Sequence, residues 1–86
     1  MPTISRFFGI TIRMYYEDHL PPHFHAYYGE YGAAIAIGSL RVLDGQLPPR
    51  ALKLVCAWAG SHRAELHIDW RRAQDHQPLY QIEPLR

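Results

Sequence analysis

Residues 18–28 read Asp18-His19-Leu20-Pro21-Pro22-His23-Phe24-His25-Ala26-Tyr27-Tyr28, and three of the chain's six histidines fall inside them. Pro21 and Pro22 fix φ and favour extended geometry in the residue before each. The aromatic, alternating run that follows suits a β-strand over residues 23–28. On a strand, residues two apart share a face. His23, His25 and Tyr27 therefore stand on one face, and Phe24, Ala26 and Tyr28 on the other.

Outward from this strand the chain keeps a period of two. Residues 9–16 alternate as a strand, with Ile10, Ile12, Met14 and Tyr16 on one side and Thr11, Arg13 and Tyr15 on the other. Residues 17–22 form the intervening loop, and residues 1–6 a short lead-in. Gly29-Glu30-Tyr31-Gly32 reads as a hairpin loop. A third strand is expected over 33–37, with Ile35 and Ile37 toward the core. A fourth is expected over 40–43, after a Gly38-Ser39 turn. Strands this close in sequence should build an antiparallel meander.

After Asp44-Gly45 the period changes to that of a helix, which Pro48 and Pro49 can open because the first turn tolerates proline. Leu52, Val55, Ala59, Leu66, Trp70 and Ala73 form one apolar stripe over residues 49–74. Unbroken, that helix would be about 39 Å long at 1.5 Å per residue, long for so small a chain. Gly60-Ser61 is the expected kink or break. Pro78 and Pro84 bound residues 79–83, a possible edge strand. The expected fold class is α+β: a meander of three to five strands with one long or kinked C-terminal helix packed on one face.

Eighty-six residues suggest one domain with a modest core. A hydrophobic fraction of 48% and a charged fraction of 20% are globular, not disordered. The net charge of +1 argues neither for nor against nucleic acid. A single cysteine, Cys56, excludes an internal disulfide and fits a reducing compartment. With no signal-peptide pattern and no apolar run of membrane-spanning length, no membrane partner is expected and the expected location is the cytoplasm.

Two groups of side chains carry candidate chemistry. If Phe24 and Ala26 face the core, His23 and His25 join Arg13 and Tyr15 on the opposite face. Arginine supplies bidentate donors there, and histidine supplies proton transfer, so a phosphate or RNA backbone is a reasonable ligand. The same pair is half of a metal site, with His19 or His62 as a third ligand. The plainer alternative is two half-exposed histidines bonded to their neighbours. On the helix, Trp58, His62, Glu65 and Asp69 line one flank next to the apolar stripe, which reads first as a solvated face. The small residues Ala34 and Ala36 leave a flat surface suited to a second subunit. Several motifs fail. The alternating histidines are similar to those of histidine-triad nucleotide hydrolases, but Tyr27 stands where the third would fall. There is no Walker loop, CxxC or HExxH.

The chain also resembles a bacterial family, domain-of-unknown-function family 4160. The residues that carry the resemblance are the opening Met1–Ile10, the motif Pro21-Pro22-His23-Phe24-His25-Ala26, the pairs Leu47-Pro48, Ala51-Leu52 and Leu54-Val55, Trp58-Ala59 with His62-Arg63, and the closing Ile82-Glu83-Pro84-Leu85. The resemblance implies a small two-gene bacterial module with a toxin–antitoxin-like role. On that basis the leading expectation is a cytoplasmic interaction module without a cofactor. Its expected contacts are RNA or a partner protein from a neighbouring gene. If it is the toxin, metal-independent ribonuclease chemistry would rest on His23, His25 and Arg13. The alternatives are a zinc-binding domain using His23, His25 and His19 or His62, and a structural homo-oligomeric subunit such as a homodimer.

Overall fold

Isoleucine and phenylalanine at alternating positions make each inner strand one-sided, and the sheet follows from stacking those apolar faces. The computed structural model describes residues Pro2–Arg86. Five strands run β1 (Thr3–Phe7), β2 (Ile10–Arg13), β3 (His23–Tyr28), β4 (Tyr31–Ala36) and β5 (Val42–Gln46). They pair antiparallel in sequence order, a plain meander. Two helices follow, α1 (Pro49–Ser61) and α2 (Arg63–Gln74). Ile10, Ile12, Phe24, Ala26, Ala33 and Ile35 turn to the helices and are buried. From the helical stripe, Val55, Ala59, Leu66, Trp70 and Ala73 are buried against them, and Leu52 packs at the margin. The expected α+β architecture is therefore the observed one.

The boundaries differ in five places, each for a local reason. β4 is Tyr31–Ala36 rather than 33–37, because Tyr31 and Gly32 pair with Tyr28 and Tyr27 and leave only residues 29 and 30 to the turn. Residues 3–7 are a strand rather than a lead-in. A register shift between Thr3 and Ser5 spoils their alternation, so Ile4 and Ser5 are both buried and the period-two pattern is lost. β2 stops at Arg13, where the loop that carries Asp18 takes over; Tyr16, expected inside with Ile12, is exposed. β5 begins at Val42, two residues later than expected. Leu40 takes a left-handed φ of 60° and extends the turn after β4, whose Ala36 carbonyl accepts the Leu40 N–H. Residues 79–83 are not a strand. They lie along β1 with one backbone bond, Ile82 N–H to Ile4 carbonyl at 2.8 Å, and Pro78 and Pro84 flank them without donors of their own.

The long helix is broken at His62 (φ −127°, ψ 23°) rather than at Gly60-Ser61. Ser61 Oγ donates back to the Ala57 carbonyl at 3.4 Å, so it closes α1 and does not cap α2. The break folds α2 back over the sheet and brings Trp70 to the start of β3, where its ring lies 5.3 Å from that of His23. The flank expected to be solvated is partly core, since Trp58 and Asp69 are both fully buried. No helix among the described residues is long and apolar enough to cross a membrane.

Gly45 marks the closest approach in the sheet. It has φ +75°, and a Cβ there would stand 2.1 Å from the Gly32 carbonyl oxygen. Gly45→Ala is expected to destabilise the domain by about 1–3 kcal/mol, the scale of a left-handed residue under strain. Urea unfolding, with amide exchange across β4–β5, checks this; an unchanged midpoint would mean that β5 simply lifts away.

Asp69 is the unusual member of the core. Its Oδ1 accepts the Tyr80 N–H at 2.8 Å, while Oδ2 has no partner among the described residues. Burial pushes its carboxyl above the ordinary value, against the opposing pull of the Tyr80 N–H and the Arg72 charge. A raised folded-state pKa stabilises below the unfolded value and loses that contribution as pH rises through the folded one. Asp69→Asn keeps the acceptor and removes the charge. It is expected to be more stable than the native chain at pH 7, with the gap closing as the pH approaches about 4, near the ordinary aspartate value. Urea midpoints at both pH values test it, and a less stable variant at pH 7 would reverse the argument.

Candidate metal centre

The site is built from the first residues of β3 and the loop before them. The Leu20–Pro21 peptide is cis. The strand expectation for His23 and His25 holds: both lie on the face opposite Phe24 and Ala26, paired across to Ala36 and Ala34. They differ in exposure. His23 is 2% exposed and sits beside Trp70, whereas His25 is half-buried beside Tyr15, with ring centres 4.6 Å apart. Loop residue Asp18 reaches both: its Oδ2 lies 2.9 Å from His23 Nε2 and 3.2 Å from His25 Nε2. The other carboxylate oxygen accepts the His19 N–H at 2.9 Å, and Gln74 Nε2 donates to the Asp18 carbonyl at 3.1 Å. These contacts fix the carboxylate and tie its loop to the end of α2.

His23 Nδ1 lies 2.7 Å from the Pro21 carbonyl, which only accepts, so Nδ1 carries the proton and donates. In the neutral ring Nε2 is then a lone pair, and it faces the Asp18 carboxylate oxygen. Two electron-rich atoms that close require a cation between them, either a proton that makes the ring imidazolium or a metal ion. A ring N–H bonded to a backbone carbonyl is also the usual support of a metal-ligating histidine. The ligand atoms of Asp18, His23 and His25 all lie within 4.8 Å of one another. Tetrahedral ligands at about 2.0–2.1 Å from zinc stand about 3.3 Å apart, close to the 2.9 and 3.2 Å that separate Asp18 Oδ2 from the two imidazole nitrogens.

The electrostatics of the cluster follow from the same contacts. Burial raises the Asp18 carboxyl, but the contacts with His25, the His19 backbone N–H and His23 outweigh it and hold it below the ordinary value. Burial lowers His25 more than the Asp18 carboxylate raises it, so the balance favours the uncharged ring. On the same face burial and the hydrogen bond with Tyr15 push the Tyr27 hydroxyl up to about 12.

The other residues expected to contribute divide. Arg13 is paired across the strands with His25, on the same face. His19 is 85% exposed, its Nε2 lying 3.8 Å from Asp18 Oδ1, so it borders the cluster without joining it. His62 does not approach the cluster. It sits at the α1–α2 junction, bonded to Glu65 and packed on Trp58. The sequence reading did not place Asp18 in the cluster. Its signal was present, a carboxylate five residues before His23 across the stiff Pro21-Pro22 step, but only the fold of the loop turns it inward.

Fold and site together define a small α+β domain: a five-stranded meander roofed by a broken helix, with one carboxylate and two imidazoles gathered where the central strand begins. The family described as "Domain of unknown function (DUF4160)" matches residues 9–71, and the chain belongs to it. The matched residues include Arg13, Asp18, His23 and His25. No curated protein and no solved structure matches the chain.

Proposed function

We propose that the domain binds a divalent transition metal, zinc in the first instance, through Asp18 Oδ2, His23 Nε2 and His25 Nε2. The observation that carries this reading is the pair of hydrogen-bond partners on His23. With Nδ1–H given to the Pro21 carbonyl, the buried Nε2 has its lone pair against a carboxylate oxygen at 2.9 Å. Two histidines and one carboxylate suit zinc or iron(II), and three protein ligands leave room for water or a ligand. His19 is placed to supply a fourth ligand if its side chain turns inward, which would close the site. The test is the thermal melt of untagged protein in chelator and then in zinc, for the native chain and for the His23→Ala/His25→Ala variant. Zinc is expected to raise the melting temperature of the first and not of the second.

A second reading is favoured by Arg13. It faces His25 across the strands and has no carboxylate partner among the described residues. In a metal-free ribonuclease His25 would take a proton from a 2′-hydroxyl and Arg13 would steady the phosphate. Cleavage of a single-stranded RNA in excess chelator, lost in His25→Ala, is the outcome that would favour it. A toxin–antitoxin-like setting is compatible with both readings, and co-purification with the product of a neighbouring gene tests it.

A further inference from the structure

We propose that the sheet face beside the Asp18–His23–His25 cluster binds a phosphate ester, with Arg13 as its anion-binding group. This deepens the metal-binding reading and rests on it for one of the two groups that hold the phosphate.

Arg13 is the starting point. Its side chain is half-buried, and its one hydrogen bond among the described residues is a long one, Nε to Thr3 Oγ1 at 3.4 Å. No described carboxylate forms an ion pair with it, and its guanidinium carbon lies 5.5 Å from the centre of the Tyr27 ring. The terminal donors of the guanidinium are thus uncommitted on a surface that already contains its share of aromatic rings. A planar fork of this kind matches phosphate oxygens two at a time.

The position of Arg13 ties this cation to the cluster. His23 is closed off at 2% exposure, whereas His25 and Asp18 keep 22% and 18% of their side chains exposed. The accessible side of the cluster is therefore the His25 side, and Arg13 is the residue directly across from His25. Arg13 therefore stands one strand from an ion held by the cluster, on the same face, where both would contribute to holding a phosphate.

There is also room for the rest of such a ligand. A shallow hollow of about 210 Å³ opens beside His25 and Tyr27 on the side away from Arg13, lined by Gly32, Ala33, Ala34, Asp44 and Gly45. The small residues of the lining leave space for an organic group. The Asp44 carboxylate repels a second phosphate and accepts hydrogen bonds, which selects an organic part with hydroxyl or N–H donors. The ligand class is a monophosphate ester of that kind, of which a ribonucleotide is the simplest example. It can arrive as a free nucleotide or as one phosphate of a single-stranded RNA.

The experiment is an amide-resolved NMR titration of the whole chain, zinc-loaded and in chelator, with three probes: inorganic phosphate, guanosine 5′-monophosphate and a short single-stranded RNA. Shifts centred on Arg13 and His25 are expected with all three. Arg13→Gln is expected to weaken each at least tenfold, and Asp44→Asn to weaken the nucleotide but not inorganic phosphate. RNA binding more than tenfold tighter than the nucleotide identifies the polymer as the source; equal binding identifies the free nucleotide. Arg13→Gln that binds like the native chain, or shifts that fall elsewhere, overturns the proposal. A flat zinc melt with Arg13-dependent phosphate binding removes the metal reading alone. A zinc-dependent melt without phosphate shifts removes this proposal alone.

Discussion

Trp58→Ala is expected to cost the domain about 3–5 kcal/mol and to leave much of it unfolded in dilute buffer. Trp58 is fully buried, with its ring 5.3 Å from Phe7 and 5.9 Å from Phe24. It therefore joins the edge strand β1, the central strand β3 and α1 at one point. Truncation leaves a cavity among rings that cannot close over it. It also removes the indole N–H that donates to the Glu83 carbonyl at 2.8 Å, one of the bonds holding the C-terminal segment against the core. A folded domain is stable by only about 5–15 kcal/mol, and small ones sit low in that range. Trp58→Phe separates the two contributions. It keeps most of the apolar volume and should lose only the cost of an unmade hydrogen bond, about 1–3 kcal/mol, together with a smaller packing defect. Urea unfolding followed by far-ultraviolet circular dichroism measures both. A loss below about 1 kcal/mol in the alanine variant would remove Trp58 from the centre of the core.

Zinc at about one hundred times its dissociation constant is expected to add about 2.7 kcal/mol to the native chain. For a domain of this length each kcal/mol moves the melting temperature by about 4–8 °C, so the rise should be about 10–20 °C. The double variant His23→Ala/His25→Ala should show none of it. The rise should shrink on acidification, because protons compete with the metal for the same imidazole nitrogens. The three ligand atoms come from a strand and a loop already fixed by Pro21, His19 and Gln74 contacts, so little ordering opposes binding. If the native chain melts at the same temperature in chelator and in zinc, the cluster is a proton-bridged Asp–His–His network. RNA cleavage then becomes the next assay.

Those two experiments bear on residues that were legible to different degrees. The inner strands were plain because their two faces meet different surroundings. Ile10, Ile12, Phe24 and Ala26 meet helices, whereas Thr11, Arg13, His25 and Tyr27 between them stay half-exposed. β1 is hidden because a bulge sets Ile4 and Ser5 against the period, and the bounds of β5 are displaced because all five of its residues are exposed at the sheet edge, where no alternation marks them. Trp58 was misjudged for another reason. Helical spacing assigns a flank, but whether that flank meets water depends on what lies beside the helix, here Phe7, Phe24 and the returning C-terminal segment.

The site divides along the same line. His23 and His25 share a face because a strand has a period of two, and Arg13 lies on that face by the same rule, so these three could be taken from the residues alone. The sequence by itself determined the class of fold, the one-sidedness of the sheet and the pairing of two imidazoles. Only the tertiary structure decided that Asp18, rather than His62, completes the cluster, and that His23 is enclosed while His19 stays in water. The physical reason is that local periodicity orients a side chain relative to its own element. Which groups then meet depends on how a loop closes and where a helix breaks, and both are settled by long-range contacts: Gln74 holding the Asp18 loop, and Trp70 packing beside His23.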